Sequence, residues 1–349
     1  MNGLLECIER LASADEAERS YAAEDIGYLN APEGAQALLE RLRQESSPVV
    51  RDAISQALTR IDTDDAIAGT IPLFESDDPQ IRNLAVSVLR HKGERSVPFL
   101  KKAMREGDRD TRKFVLDALS GIPVSGVAEI YAAALSDEDP NVAITAVENI
   151  GNVRAGEFRT RIEDLLQGDE HPMLIAACLE ALASTGDATS IGAIRRRFPH
   201  LAALPDFFLA PCLKVFAALG TESDFAEIAR LLSERGISLR SAILETLLAI
   251  QQRRVRERGA PPELDEGLLA IFRGIVESND PAPCRYQAVR VIGFWANRDD
   301  VAAFLETCLA SPERFVRLGA TEALRTASGA KPRTPPTALG VNRSEGDVR

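Results

Sequence analysis

Carboxylates recur at one phase of this 349-residue chain. Counted from the Pro-like residue that opens each repeating segment, Glu24, Asp117, Glu148, Glu180, Glu245 and Glu322 all stand at position +8. A row of acids at fixed spacing can take several Lys or Arg side chains from one partner segment, because charges a helix spacing apart add their fields. The same acids can equally form a solvated flank that pairs with nearby arginines. Gln56, Ser87 and Arg290 fill the place elsewhere, and the seventh segment, phased on its apolar run, gives Val215. A second recurrence lies five residues earlier, at Arg19, Arg51, Arg82, Arg112, Arg240, Arg285 and Arg317. A residue repeated in most segments points to architecture, here hydrogen bonding between repeats through the five-donor guanidinium. Two further basic groups stand apart, Arg195-Arg196-Arg197 and the set Arg253, Arg254, Arg256 and Arg258. Either could dock an acidic partner or nucleic acid, or be a solvated excursion of a loop.

Other chemistry is sparse. His91, His171 and His200 are scattered, and Cys7, Cys178, Cys212, Cys284 and Cys308 show no Cys-x-x-Cys spacing. The cysteines sit in apolar helical context and read as buried free thiols of a reducing compartment. No metal-ligand spacing, glycine-rich phosphate loop or Ser/His/Asp grouping is present, so no metal or cofactor is expected and the residues point away from catalysis. Phe294 and Trp295, with Tyr286 nearby, follow an apolar helix face and read as core.

The elements that carry these residues announce themselves by their starts. Ser47-Pro48, Asp78-Pro79, Asp139-Pro140, His171-Pro172, Asp280-Pro281 and Ser311-Pro312 each precede a helical run, with Asp108-Arg109 filling a gap, at intervals of 30 to 32 residues where consecutive. Ser or Asp at an N-cap accepts a first-turn N–H, and Pro at the first helical position has none to leave unpaired. Apolar residues then follow at +2, +5, +6, +9 and +10, as in Ile81, Leu84, Ala85, Val88 and Leu89, which is one face of a 3.6-residue period. The fifth segment departs, with Thr145 and Asn149, and the sixth restores the pattern. Shorter amphipathic stretches, such as Leu38, Leu39 and Leu42, lie between, so each unit is a hairpin of an A and a B helix. Ten are expected, with B helices starting near 16, 48, 79, 109, 140, 172, 206, 237, 282 and 314. Gly121, Gly151, Gly186 and Gly220 read as left-handed caps after B helices.

A period near 31 implies stacked supersecondary units and an all-α fold. The expected organisation is one solenoid over 1–328, interrupted at 251–262 by a basic helix extension ended by Gly and Pro, with a disordered tail at 329–349. The 41 basic and 53 acidic residues give a formal charge of −12, which disfavours nonspecific binding to nucleic acid or anionic lipid. No apolar run reaches the ~18 residues a membrane span needs, and the opening segment lacks a signal-peptide core, so a soluble cytoplasmic protein is expected.

Asp78-Pro79-Gln80-Ile81-Arg82-Asn83-Leu84-Ala85 and Glu313-Arg314-Phe315-Val316-Arg317-Leu318-Gly319-Ala320 resemble HEAT-like repeats of the short kind found in phycobilisome lyases. The resemblance covers roughly residues 2 to 328. It implies a right-handed, armadillo-type α-solenoid whose B helices line the concave face. It says little about activity, since one fold hosts many functions; the residues themselves favour a non-catalytic scaffold holding a protein partner, with a basic segment, along the acidic +8 row. Enzymes of similar architecture are a poor match. Deoxyhypusine hydroxylases bind iron through His-Glu pairs, whereas His91, His171 and His200 are followed by Lys92, Pro172 and Leu201. HEAT-like alkylpurine DNA glycosylases use a basic, aromatic-bearing groove, whereas this chain is acidic with one Trp. The remaining alternatives are an enzyme or enzyme subunit of the bilin-lyase kind, which has no compact signature, and a nucleic-acid binder using the basic insertion.

Overall fold

The computed structural model describes residues 2–168 and 171–327; the tail expected at 329–349 lies outside them. All regular structure among the described residues is helical. The first five hairpins pair α1 (Asn2–Arg10) with α2 (Glu16–Leu29), α3 (Pro32–Gln44) with α4 (Pro48–Arg60), α5 (Asp64–Thr70) with α6 (Pro79–Lys92), α7 (Val97–Glu106) with α8 (Arg109–Leu119), and α9 (Val124–Ala134) with α10 (Pro140–Val153). The next five pair α11 (Arg159–Gly168) with α12 (Pro172–Thr185), α13 (Ser190–Arg197) with α14 (Asp206–Leu219), α15 (Glu222–Glu234) with α16 (Ile237–Arg258), α17 (Glu266–Glu277) with α18 (Ala282–Ile292), and α19 (Asp299–Leu309) with α20 (Arg314–Ala327). The even-numbered members are the B helices, and each begins where the repeat register places it. The result is an α-solenoid. Contacts divide the chain into two compact units, one of residues 1–200 and 207–215, the other of 201–206 and 216 onward. None of the described helices is long and apolar enough to cross a membrane.

Local chemistry fixes the helix starts. Ser47, Asp78, Asp108 and Asp139 each accept a first-turn N–H, from Val50, Gln80, Thr111 and Asn141 respectively. The backbone donors hold the three Asp carboxyls below their ordinary value. The last two starts depart from this scheme. Asp280 turns its carboxylate to Arg240 instead of capping α18. Ser311 accepts from the Glu313 N–H, and α20 begins two residues beyond Pro312.

The apolar stripes form the core. Val50, Ile54, Ala57 and Leu58 of α4 are fully enclosed, as are Val88 and Leu89 of α6 and Val115, Ala118 and Leu119 of α8. The two polar exceptions of the fifth B helix are bonded. Thr145 donates to the Asn141 carbonyl at 2.8 Å, and the Asn149 amide reaches back to the Leu116 carbonyl of α8 at 2.9 Å.

The glycines play a different part from the one expected. Gly121 alone of the four is left-handed, at φ 94°, and Gly186 and Gly220 end their helices at negative φ. Gly151 lies inside α10, where an added Cβ would sit 3.0 Å from Ala181 Cα of α12. Gly27 meets Ala57 of α4 in the same way at 2.9 Å, and in the second unit Gly293 meets Ala323 of α20. Missing side chains there let successive B helices approach at backbone contact.

Candidate functional site

The recurring arginines, present in seven of the ten hairpins, tie their B helices to the adjoining turns. From the first turn of its B helix, each guanidinium reaches a carbonyl in the turn before that helix, the acid in the next such turn, or both. Arg51 donates to the Glu45 carbonyl at 2.6 Å and pairs with Asp78 at 2.7 Å. Arg112 donates to the Gly107 carbonyl and clasps Asp137 through two bonds of 2.7 and 2.8 Å. Arg82 bonds the Ser76 carbonyl and lies over the Phe114 ring of the next B helix, 5.7 Å from its centre. In the second unit Arg240 pairs with Asp280, and Arg285 bonds the Val276 carbonyl and faces Glu313. Arg317 bonds the Ser311 and Pro312 carbonyls. These geometries make the arginine row architectural.

Arg19 is the most enclosed case. It donates to both oxygens of Glu45, at 2.8 and 3.1 Å, and to the Ser13 and Ala14 carbonyls. The Glu45 side chain has no solvent exposure and also accepts from Arg41 and from the Ser46 and Ser47 N–H groups. Burial alone would raise its carboxyl, but the Arg19, Ser47 and Arg41 donors outweigh it and bring it down to about 2.

The acidic row is less uniform than its spacing suggests. Residues at +8 on adjacent B helices do meet: Glu180 of α12 bonds the Lys214 ammonium of α14 at 2.6 Å. The structure thus corrects the phase of the seventh B helix, which starts at Asp206 and puts Lys214, not Val215, in the row. In the second unit Arg290 faces Glu322 at 3.6 Å, the Tyr286 hydroxyl donates to Glu322 at 2.7 Å, and Gln287 donates to Glu245 at 2.9 Å. Glu180, Glu245 and Glu322 therefore already have partners. Glu24 and Glu148 are exposed and make no ion pair among the described residues. Asp117 is half-buried, and burial pushes its carboxyl up against the opposing pull of Lys113 and Arg90.

The basic insertion is the helix extension expected there, continuing α16 to Arg258 before Gly259 closes it at φ 74°. Two of its four arginines are spoken for. Arg253 donates to the Gly220 and Ala217 carbonyls, and Arg254 pairs with Glu222 and bonds the Ala260 carbonyl. Arg256 is exposed, and Arg258 stands 3.9 Å from Glu222. After Gly259 the chain walls a recess of about 790 Å³ bordered by Glu222, Phe225, Pro261, Glu263, Asp265 and Trp295. Sequence reasoning did not find it. Trp295 is core, as its phase indicated, with its indole N–H donating to the Pro262 carbonyl at 2.7 Å and its ring stacked on Phe272. Phe294 and Trp295 lie in a 3-10 turn after α18, not on that helix.

Among the described residues no group of three His, Cys, Asp or Glu could hold a metal ion. All five cysteines are buried and outside any disulfide, and burial pushes the Cys212 thiol up to about 12, far from a nucleophile's range.

Stacked helical hairpins define an all-α repeat solenoid. The HEAT-repeats family model matches residues 3–72. The chain is distantly related to an uncharacterized phycocyanin operon protein Z of Pseudanabaena tenuis, 31% identical over 132 residues. That match covers 35% of this chain and 65% of the relative, just under two thirds of its length. Among solved structures the fold is similar to importin beta, with a TM-score of 0.57 at 11% identity over 93% of this chain and 52% of that one. It is likewise similar to a karyopherin bound to the extreme C-terminus of a protein phosphatase, with a TM-score of 0.57 at 11% identity over 94% and 41%. This chain spans about half the length of these larger solenoids or less.

Proposed function

We propose that the protein is a non-catalytic scaffold that holds a protein partner along the B-helix face of its first unit. Asp117 and Glu148, on the neighbouring helices α8 and α10, offer the partner's basic segment its charge. The observation that carries this reading is the Glu180–Lys214 contact, because it marks position +8 as a face that adjacent B helices share. Asp117 and Glu148 stand at that position on neighbouring helices, and packed helices lie about 10 Å apart axis to axis. This is near a Debye length, so their fields overlap. HEAT solenoids commonly bind protein partners, and the absence of membrane-spanning helices among the described residues fits a cytoplasmic setting.

The double variant Asp117→Lys/Glu148→Lys is expected to weaken the native partner by about tenfold or more, with the melting temperature nearly unchanged. Wild-type binding should also weaken as salt rises and as pH falls through the raised Asp117 value, since protonation removes half the charge pair. Undiminished affinity in the variant would place recognition elsewhere. A second reading, an enzyme or enzyme subunit of the bilin-lyase kind, draws on the relative's phycocyanin operon. Its test is bilin attachment to purified apo-phycocyanin with and without the protein. Nucleic-acid binding through the insertion is disfavoured, because Arg253 and Arg254 are already engaged.

A further inference from the structure

Two of the four tyrosines in the chain stand in solvent on one helix. Tyr21 is 60% exposed and Tyr28 72% exposed, values unusual for a ring whose burial would ordinarily be favourable. Both lie on α2, with Glu24 between them at spacings of three and four residues, so the three side chains form a single stripe. Glu24 makes no ion pair among the described residues. Gly27 brings α4 to backbone contact alongside, and α4 carries Asp52 and Gln56 as exposed residues, the Gln56 amide donating to the Asp52 carboxylate at 2.8 Å. Nothing in the core requires this arrangement.

The structure already shows what such a stripe can hold. The Arg60 guanidinium of α4 lies over the Tyr28 ring, 4.3 Å from its centre, and makes no ion pair among the described residues. Tyr28 is thus occupied from one side by an arginine of the chain itself. One helical turn pair away, Tyr21 offers an equivalent ring with no such cover, and Glu24 offers a carboxylate within the same stripe. A planar cation that stacks on a phenol face and bonds a carboxylate in its own plane is a guanidinium, whereas an ammonium satisfies only the charge.

We propose that Tyr21, Glu24 and Tyr28 form a docking site for an arginine-bearing peptide segment, one guanidinium stacking on Tyr21 and hydrogen-bonding Glu24. Charge complementarity supports this occupant, since Glu24 within the stripe and Asp52, exposed on the adjoining helix α4, are both acidic and the chain carries a net charge of −12. Exposed tyrosines beside an open carboxylate also have the composition of binding hot spots. The proposal rests on the protein-binding reading and names a first contact point within it, remote from Asp117 and Glu148.

The test uses the full chain labelled with 3-fluorotyrosine, whose four fluorine signals are assigned by single Tyr→Phe variants. The probes are two peptides of Gly and Ser carrying three arginines or, in the same places, three lysines. The arginine peptide is expected to shift the Tyr21 and Tyr28 signals and leave that of enclosed Tyr131 unmoved. Fluorescence anisotropy with the labelled peptide should show Tyr21→Ala and Glu24→Gln each weakening binding about fivefold, with Glu40→Gln, the same charge change at an exposed position of the A helix α3, close to wild type. Equal affinity for the lysine peptide, unshifted Tyr21, or equal loss in Glu40→Gln would overturn the proposal. If these fail while the Asp117/Glu148 variant still loses the native partner, the scaffold reading stands without this site.

Discussion

Glu45→Ala is expected to cost about 3–5 kcal/mol of stability. The change leaves Arg19, which is almost as enclosed as Glu45 itself, with an uncompensated charge facing the space where both its carboxylate bonds ended. It also removes the acceptor for the Ser46 and Ser47 N–H groups at the start of α4. The same site predicts an acid transition. The folded-state carboxyl lies at about 2 against an ordinary 4.5, so the folded state favours the ionised form. That contribution is complete above pH ~4.5 and is lost as pH falls from there towards 2, an upper bound of about 3 kcal/mol. Urea unfolding of wild type and variant from pH 7 to pH 3 checks both statements. The two stabilities should converge as pH falls; a constant gap, or a cost below about 1 kcal/mol at pH 7, would show that the pair is solvent-screened.

Leu89→Ala should cost about 2–5 kcal/mol, because the side chain is fully enclosed and its removal leaves a cavity that helices on two sides cannot fill. In a solenoid each layer rests on its neighbours alone, so the damage should stay local. Hydrogen exchange should accelerate in α6 and its flanking helices α4, α5, α7 and α8, while α10 and α12 keep their protection. Uniform loosening of the first unit would mean that its hairpins unfold as one cooperative body.

The B helices were legible because their signals are local. Asp78-Pro79-type starts fix the first turn and the apolar stripe fixes the buried face, so the register carried through even the weaker segments. Three A helices were not read from their apolar spacing. Val124–Ala134 is apolar nearly all round, Ser190–Arg197 is short and ends in three arginines, and Glu266–Glu277 follows the insertion that broke the period. The seventh B helix lacks an Asp-Pro or Ser-Pro start and contains Pro211, which left its phase one residue off and hid Lys214.

The site was legible in position but not in state. Spacing placed the acids on one phase, yet whether each is open depends on residues over thirty positions away, Lys214 for Glu180 and Gln287 or Tyr286 for the later two. The arginine row could be read because its partners recur with it. The Tyr21–Tyr28 stripe was missed because Tyr21 sits at +5, a phase that is buried in α4 but exposed in α2.

Site-resolved photo-crosslinking in the native cell tests the partner-binding face most directly. A photoreactive residue replaces Lys113, exposed on α8 one turn before Asp117, or as a control Glu40, exposed on the A helix α3. A B-helix binding face predicts a discrete protein adduct from position 113 that fades as salt rises and is absent from position 40. Adducts from position 40 alone, or equal adducts from both, would contradict it.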